Sequence, residues 1–309
     1  MPEPRARVHV RLARAATAVA LAASIGAALT GCSGSAGDQP VGIQVVASTD
    51  VYGSLASTIG GAQASVTSII DDPAKDPHEY QADARTQLAI SRAQVVIENG
   101  GGYDDFVDTM IGASGNTKVT LINAVKLSGY DSTIPDFNEH VFYDYSTVGK
   151  VVDAIVAAYK KADPGHAALF TERGAKLEAQ VKTLANTELD LSSTTRGVGV
   201  AITEPVPNYV LAALGMKIVT PIAFSEAIDQ GTDVAPAVLE QTLATLTSGQ
   251  AKLLVYNVQT TGPQTDAVLA AAKKAGLAAV PVSETLPPGF DYVTWQKGVL
   301  ATIAQALKG

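Results

Sequence analysis

Cysteine and tryptophan are almost absent from this sequence, and aromatic residues are few. One cysteine, Cys32, and one tryptophan, Trp295, occur among the 309 residues, and aromatic residues make up 6%. A single cysteine excludes an intramolecular disulfide. The chain also contains no short-spaced CxxC or HExxH motif, so no metal site can be inferred from a local motif alone. With a net charge of −8 and few aromatic residues, we expect no nucleic-acid partner.

A long apolar run occurs only at the N-terminus. Residues 15–30 are mostly apolar and follow a segment with four arginines. The run is too short to span a bilayer comfortably, so residues 1–31 are predicted to be a cleaved signal peptide. It ends in Leu29-Thr30-Gly31-Cys32, which resembles a bacterial lipobox. This resemblance implies that Cys32 carries a lipid.

The segment after Cys32 is short and rich in small residues. Residues 32–40 read CSGSAGDQP and are predicted to form a flexible tether. The lipid would hold the protein on the extracytoplasmic face of the cell membrane. Because residues 1–31 contribute +3 to the net charge of −8, the remaining chain carries −11. Such a surface is compatible with a cationic ligand, although most acidic surfaces are only solvated.

Short apolar segments alternate with helical patterns along the rest of the chain, which predicts an α/β fold with parallel sheets. We expect one α/β lobe over residues 41–146 and a second over 193–309. Strands are predicted at 43–47, 65–70, 95–97 and 118–122 in the first lobe, and at 198–202, 217–219, 253–256 and 279–282 in the second.

The segment between the lobes, residues 147–192, is predicted to be helical. Asp163-Pro164 gives an N-cap followed by proline at the first helical position. Apolar residues then recur at near-helical spacing, at Leu169, Leu177, Val181 and Leu184. A helix of about 25 residues would be nearly 40 Å long, long enough to run the height of both lobes. We therefore expect one long rigid linker helix between the lobes and a ligand site in the cleft between them.

Three histidines remain after the predicted signal peptide: His78, His140 and His166. His78 and His140 both precede helical segments and follow predicted strands. Ligands of open α/β sheets collect beyond the carboxyl ends of strands, and neutral imidazole is a common ligand of mid-row divalent ions. His166 lies in the first turn of the predicted long helix and is expected at the surface.

The surroundings of the first two histidines resemble a known family. The segment Asp76-Pro77-His78-x-Tyr80-x-x-Asp83 closely matches the first ligand motif of the metal-binding solute-binding proteins of bacterial zinc and manganese ABC importers, called cluster A-I. The segment Asn138-Glu139-His140-Val141 is similar to their second motif, and Asp144 is retained. Phe142-Tyr143 replaces the usual Trp-Leu, and Ala82 stands where proline is common.

This resemblance implies two further ligands. Glu204 occupies the third position, after the first strand of the second lobe, where zinc-specific members usually have histidine and manganese-binding members glutamate. Glu284 occupies the fourth, after the last strand, where aspartate is usual, and Asp291 is the nearest substitute. The implied set is therefore His78, His140, Glu204 and Glu284, with Zn²⁺ or Mn²⁺ as cargo. Residues 112–138 contain no histidine, so a histidine-rich loop is absent.

The resemblance also implies the biological role. It predicts a monomeric binding protein that delivers the metal to the transmembrane permease subunit of an ABC importer and catalyses no reaction. Two alternatives stay open at this point. A metal-dependent hydrolase would need a general base, for which Glu139 is the obvious candidate. A binding protein for an organic solute would need aromatic and arginine side chains at the lobe interface.

Overall fold

The computed structural model describes residues 42–72, 80–81 and 83–308. The chain divides into two units, residues 1–40 and 41–309, and every described residue belongs to the second. Cys32 and His78 lie outside the described residues, so the predicted lipid anchor and the first predicted ligand stay predictions. No helix in the described ranges is both long and apolar enough to cross a membrane.

Eight strands and eleven α-helices make up the described part of the chain. The first half contains β1 Ile43–Thr49, α1 Asp50–Gly60, β2 Ala64–Ile70, α2 Ala84–Arg92, β3 Val95–Glu98, α3 Phe106–Ser114, β4 Thr120–Asn123, α4 Ala124–Ser128 and α5 Tyr145–Ala162. The second half contains α6 Ala167–Thr195, β5 Gly199–Ile202, α7 Asn208–Ala213, β6 Lys217–Ile218, α8 Ile222–Asp229, α9 Pro236–Thr247, β7 Leu253–Asn257, α10 Pro263–Lys274, β8 Ala278–Val282 and α11 Tyr292–Ala306.

The strands form two sheets of the same topology. The first sheet has the order β2-β1-β3-β4 and the second the order β6-β5-β7-β8, and all pairs are parallel. In each sheet the two central strands connect to opposite edges: β1 leads to β2 and β3 to β4, and β5 leads to β6 and β7 to β8. The point at which the strand order reverses, called the switch point, therefore lies between β1 and β3 in one sheet and between β5 and β7 in the other. The predicted pair of parallel α/β sheets is confirmed.

Alternating side chains divide each strand between two hydrophobic layers, as expected from the two-residue repeat of a strand. In β3, Val95 and Ile97 join a large buried cluster, whereas Val96 belongs to a smaller cluster on the other face. In β7, Leu253 and Val255 join the same large cluster, and Leu254 faces a separate one. One continuous apolar core therefore includes the inner faces of both sheets.

Helices α5, α6 and α11 supply the rest of this shared core. Ile155 of α5, Leu177 of α6 and Leu300 of α11 are fully or almost fully buried in it. The core continues from one sheet to the other through these helices, so it marks no boundary between two lobes. The limits predicted for the lobes, 41–146 and 193–309, stay predictions.

Helix α6 is the predicted linker helix, with two local corrections. Its 29 residues give a length of about 43 Å. It begins at Ala167, because residues Pro164–His166 form a 3₁₀ turn and the Asp163 carboxylate bonds His166 Nδ1 at 2.6 Å instead of capping the helix. Leu169 is exposed and Phe170 is buried in its place. His166 is exposed, as predicted.

Candidate metal centre

The residues that follow the central strands of both sheets are polar and buried. Thr49 ends β1, Asn99 follows β3, Thr203 follows β5 and Asn257 ends β7, and all four side chains are almost inaccessible to solvent. Buried polar groups need hydrogen-bond partners or a ligand. The carboxyl ends of the strands at a switch point are the usual ligand-binding edge of such sheets.

His140 is the fully buried imidazole at this edge. It stands directly before the 3₁₀ turn Val141–Tyr143, and its ring lies edge-on to Tyr103 and Phe142, with centroid distances of 5.7 and 5.8 Å. Nδ1 lies 2.7 Å from Asn138 Oδ1. Because an amide oxygen can only accept, Nδ1 carries the hydrogen, and Nε2 is the nitrogen through which the neutral ring can bind a cation.

Nε2 of His140 faces the carboxylate of Glu284. The distance from Nε2 to Glu284 Oε2 is 3.6 Å. The other oxygen, Oε1, accepts a hydrogen bond from Asn257 Nδ2 at 2.9 Å, and the Glu284 backbone N–H donates to Gln259 Oε1 at 2.5 Å. Glu284 follows β8 closely, and the end of β7 therefore orients its carboxylate.

Glu204 is a second buried carboxylate, at the end of β5. It is only 3% exposed, and hydrogen bonds from Thr260 and Asn257 stabilise its charged form. Its Oε2 atom has no hydrogen-bond partner among the described residues. A buried carboxylate oxygen without a donor is costly, and a bound cation would remove that cost. We call His140, Glu204 and Glu284 the inner set.

The charges of the inner set influence one another. Burial alone would lower the pKa of His140, but the hydrogen bond and the negative charge of Glu284 outweigh burial and raise it to about 9. Burial raises the pKa of Glu204 to about 7, against its hydrogen bond from Thr260, and repulsion from Glu284 adds to the increase. The inner set therefore favours a bound positive charge.

A second group of potential ligands includes His140 as well. Glu139, His140 and Asp229 each place one ligand atom within 4.8 Å of the ligand atoms of the other two. Asp229 is the last residue of α8, and its negative charge acts on both His140 and Glu204. Asp229 was not predicted from the sequence, because it lies at the end of a helix and belongs to no ligand motif. We call Glu139, His140 and Asp229 the outer set.

Hydrogen bonds from the first sheet hold the segment that carries His140. Asp104 is buried and accepts from the backbone N–H groups of Asn99 and Gly100, both at 2.7 Å. Asn99 Nδ2 then donates to the backbone oxygen of Glu139 at 2.8 Å, and Tyr52 OH donates to Asn99 Oδ1. The peptide directly before His140 is therefore tied to the end of β3.

The same segment also contacts residues of the second half. Asn138 Nδ2 donates to the Pro205 backbone oxygen at 3.2 Å, and Tyr209 OH donates to the Asn138 backbone oxygen at 2.7 Å. Tyr143 OH donates to the backbone oxygen of Ser283 at 2.9 Å. These bonds place His140 beside the loops that carry Glu204 and Glu284.

The predicted alternative to Glu284 has another role. Asp291 is exposed and caps helix α11, where its Oδ1 accepts from the Thr294 N–H at 2.7 Å. Three of the predicted ligands lie among the described residues. The structure brings His140 and Glu284 into contact and places Glu204 in the same buried, charged environment.

Two curated proteins are similar to part of this chain in sequence. The manganese-binding lipoprotein MntA of Bacillus subtilis (strain 168) is 29% identical over 166 residues, which cover 51% of this chain and 53% of the relative. The protein of the same name from Halalkalibacterium halodurans is 28% identical over 172 residues, covering 54% of this chain and 53% of the relative. The chain thus spans about half the length of the curated relatives it matches.

Solved structures share the fold. The SBP FpvC of Pseudomonas aeruginosa in complex with Mn²⁺ has a TM-score of 0.71 at 21% identity, covering 86% of this chain and 98% of that chain. The periplasmic zinc-binding protein TroA of Treponema pallidum has a TM-score of 0.69 at 16% identity, covering 86% and 99%. At these identities the likeness concerns the fold.

The family is established by a match along most of the chain. The family model for ZnuA, the zinc-uptake complex component A periplasmic, matches residues 45–306. These residues include both sheets except the first two residues of β1, and they include the linker helix and all members of the inner and outer sets. The family predicted from the two histidine motifs is therefore confirmed: this chain belongs to the ZnuA family of periplasmic zinc-uptake components.

Proposed function

We propose that this protein is the extracytoplasmic solute-binding component of an ABC importer, which captures a divalent transition metal and delivers it to the transmembrane permease. The observation that carries the proposal is the 3.6 Å approach of His140 Nε2 to Glu284 Oε2. A buried imidazole nitrogen beside buried carboxylate oxygens is a donor set suited to Zn²⁺ or Mn²⁺.

The complete ligand set that we propose is His78, His140, Glu204 and Glu284. Two neutral imidazoles and two carboxylates would together balance the charge of a dication. The first lobe would supply the two nitrogen donors, and the second lobe would supply the two carboxylates. The affinity would then depend on the distance between the lobes, so a small relative movement could control release to the permease.

The comparisons support a metal as the solute. The ZnuA family is one of metal-uptake components rather than hydrolases, and we propose that this chain catalyses no reaction. The curated relatives are named manganese-binding, whereas TroA is named zinc-binding. The carboxylate Glu204 at the third position favours manganese, because carboxylate oxygen is a harder donor than imidazole nitrogen. Zinc still binds most such sites more tightly, so affinity in vitro does not identify the cargo.

The proposed location follows from the lipobox-like sequence. We propose that Cys32 is lipidated, that residues 32–40 tether the protein to the membrane, and that it acts as a monomer. Replacing Cys32 with Ala would leave the protein without lipid, as precursor or released from the membrane fraction. A variant that fractionates and migrates like the parent would contradict the anchor.

Metal analysis tests the function most directly. The protein is isolated from its native envelope under conditions that retain bound ions, and its manganese and zinc contents are measured. We expect about one divalent ion per chain, in keeping with one ligand set. The apo protein is then titrated with MnCl₂ and with ZnCl₂. If neither ion binds, the proposed function is wrong.

A further inference from the structure

We propose that Glu139 and Asp229 form an entry site for the divalent cation, on the solvent side of the inner set, from which the ion passes to His140, Glu204 and Glu284. This inference rests on the proposed function of metal capture. It assigns a role to two carboxylates that the ligand motifs do not include. It also makes His140 the residue that both sites share.

The first argument is the order in which a cation from solvent meets these residues. A cleft of about 720 Å³ lies at the carboxyl ends of the strands, and both Glu139 and Asp229 line it. His140, Glu204 and Glu284 do not line it and are only 0%, 3% and 5% exposed. Glu139 and Asp229 are half-buried. A cation in the cleft therefore meets the two half-buried carboxylates before the buried inner set.

The second argument is the short distance between the two sets. The ligand atoms of Glu139, His140 and Asp229 lie within 4.8 Å of one another, and His140 Nε2 is 3.6 Å from Glu284. An ion held by the outer set would therefore need to move only a few ångströms to reach the inner carboxylates, and His140 is a member of both sets.

A buried atom of the inner set indicates where the ion would go. Glu204 is 97% buried, its Oε2 has no hydrogen-bond partner among the described residues, and the charge of Asp229 acts on it. Moving a cation from Asp229 toward Glu204 would satisfy this oxygen and relieve the repulsion between the two carboxylates. The same movement would replace water ligands of the ion with protein oxygens.

The chemistry of the outer set suits a cation that is still partly hydrated. Two carboxylates and one imidazole leave coordination positions for several waters, which Mn²⁺ accepts readily. Asp136 and Glu226 also line the cleft, so its walls are acidic. A cleft with walls of one charge raises the local concentration of the opposite ion and speeds its association.

An entry site changes rates more than affinity. A site on the path lowers the barrier in both directions, so its removal should slow association and dissociation together. For Asp229→Asn and Glu139→Gln, which keep the size of the side chain, we expect both rate constants to fall about tenfold, within the range of electrostatic effects on association. The Kd, which is their ratio, should change much less.

Rapid mixing of the apo protein with MnCl₂ measures these rates. Trp295, the single tryptophan, stacks with Phe142 at 6.4 Å, and Phe142 contacts His140, so tryptophan fluorescence can report binding. The electron paramagnetic resonance signal of unbound Mn²⁺ gives the equilibrium Kd independently. Circular dichroism shows that each variant is folded, and either folded variant is sufficient for the test.

Glu226→Gln is the matched control. Glu226 lines the same cleft, so this variant removes the same charge without touching the outer set. Equal slowing in Glu226→Gln and Asp229→Asn would mean that the acidic cleft as a whole attracts the cation and that Asp229 has no specific role. That result would overturn the entry site. Faster dissociation with unchanged association would also overturn it, because Asp229 would then hold the metal in its final position. Normal Mn²⁺ binding with unaltered variant rates overturns only this inference, whereas failure of the parent to bind Mn²⁺ or Zn²⁺ overturns the proposed function.

Discussion

The two sheets supply different chemistry to the candidate centre and hold it by different means. The second sheet supplies carboxylates: Glu204 and Glu284 each lie two residues beyond a strand, β5 and β8 respectively. The first sheet is linked to an imidazole, His140, which stands well beyond the end of β4. Strand geometry therefore places the carboxylates, whereas the hydrogen bond from Asn99 to the Glu139 backbone oxygen holds the segment that carries the histidine.

The surroundings of the two kinds of ligand differ accordingly. His140 lies among the rings of Tyr103 and Phe142, which limit its orientation by packing. Glu204 and Glu284 lie among hydrogen-bond donors, chiefly Asn257. Ring packing and the hydrogen bond to the Asn138 side chain fix the imidazole nitrogen in one position. A carboxylate has two oxygens and can bind a cation in more than one geometry. The histidine side should thus be the less tolerant of change.

The largest effect is expected for His140→Ala. Loss of the imidazole removes the described nitrogen donor and the group that faces Oε2 of the buried Glu284 carboxylate. We expect the Kd for Mn²⁺ to rise at least about 100-fold, since even residues that only orient a metal ligand contribute 10–100-fold. Isothermal titration of the apo protein measures the change. His166→Ala is the control, because His166 is exposed on the 3₁₀ turn before α6. Similar losses in both variants would refute the assignment of His140.

A smaller loss is expected for Asn99→Ala, because Asn99 is not itself one of the proposed ligands. This change removes the hydrogen bond to the Glu139 backbone oxygen, so the peptide that positions His140 becomes less constrained. We expect the Kd for Mn²⁺ to rise about 10–100-fold, the usual range for a residue that orients a metal ligand. Equilibrium titration and urea unfolding are measured on the same samples.

Asn116→Ala provides the matched control for that experiment. Asn116 Nδ2 also donates to two backbone oxygens, those of Ile90 and Ala93 at 3.1 and 2.8 Å, but away from the centre. Both variants should lose about 1–3 kcal/mol of stability from the broken hydrogen bonds. Only Asn99→Ala should weaken metal binding. Equal affinities in the two variants would mean that His140 does not depend on the first sheet for its position.

The carboxylate side is tested by Glu204→His, which exchanges an oxygen donor for a nitrogen donor. Zinc accepts a tetrahedral set with more nitrogen, whereas manganese prefers oxygen and a larger coordination number. We expect the affinity ratio of Mn²⁺ to Zn²⁺ to fall about tenfold, or ~1.4 kcal/mol. Competitive titration of the two ions against parent and variant decides the matter. An unchanged or higher ratio would place Glu204 outside the ligand set.

The smallest effect concerns the helix that packs against both halves of the protein. Glu188 of α6 is buried, and burial, with added repulsion from Asp144, raises its pKa to about 8. The folded protein therefore holds this proton more tightly than the unfolded chain. The contribution of Glu188 to stability is fully present below about pH 4.5 and is lost as the pH rises towards 8. The neutral variant Glu188→Gln should not show this loss.

We expect Glu188→Gln to be about 1–2 kcal/mol more stable than the parent at pH 8 and nearly equal to it at pH 5, after allowance for the solvent that still reaches the carboxyl group. Urea unfolding at the two pH values measures the difference. Glu178→Gln, on the exposed side of the same helix, is the control, and its stability relative to the parent should be the same at the two pH values. If Glu188→Gln gains nothing at pH 8, the linker helix tolerates a buried charge and binds the two halves less tightly than its packing indicates.

Several features of the fold and site were predictable because they depend on neighbouring residues. The short apolar runs at Val95-Val96-Ile97 and at Leu253 identify strands, because such runs are typical of strands buried on both faces. Glu204 and Glu284 could be placed because each lies two residues after a strand. The exception near these ligands is Asp229, whose approach to His140 depends on where helix α8 ends.

Local patterns were sufficient to predict the two parallel sheets, the long helix and the family, because strand period, helix period and the motif around His140 each depend on neighbouring residues. Three other features became visible only in the folded protein: which described histidine is buried, where α6 begins, and that Glu139 and Asp229 line the cleft whereas the inner set does not. Those outcomes depend on contacts between residues far apart in the chain, such as Asn99 with Glu139 and Asn138 with Pro205. No local pattern encodes such contacts, because their energy exists only after both sheets have packed on their common core.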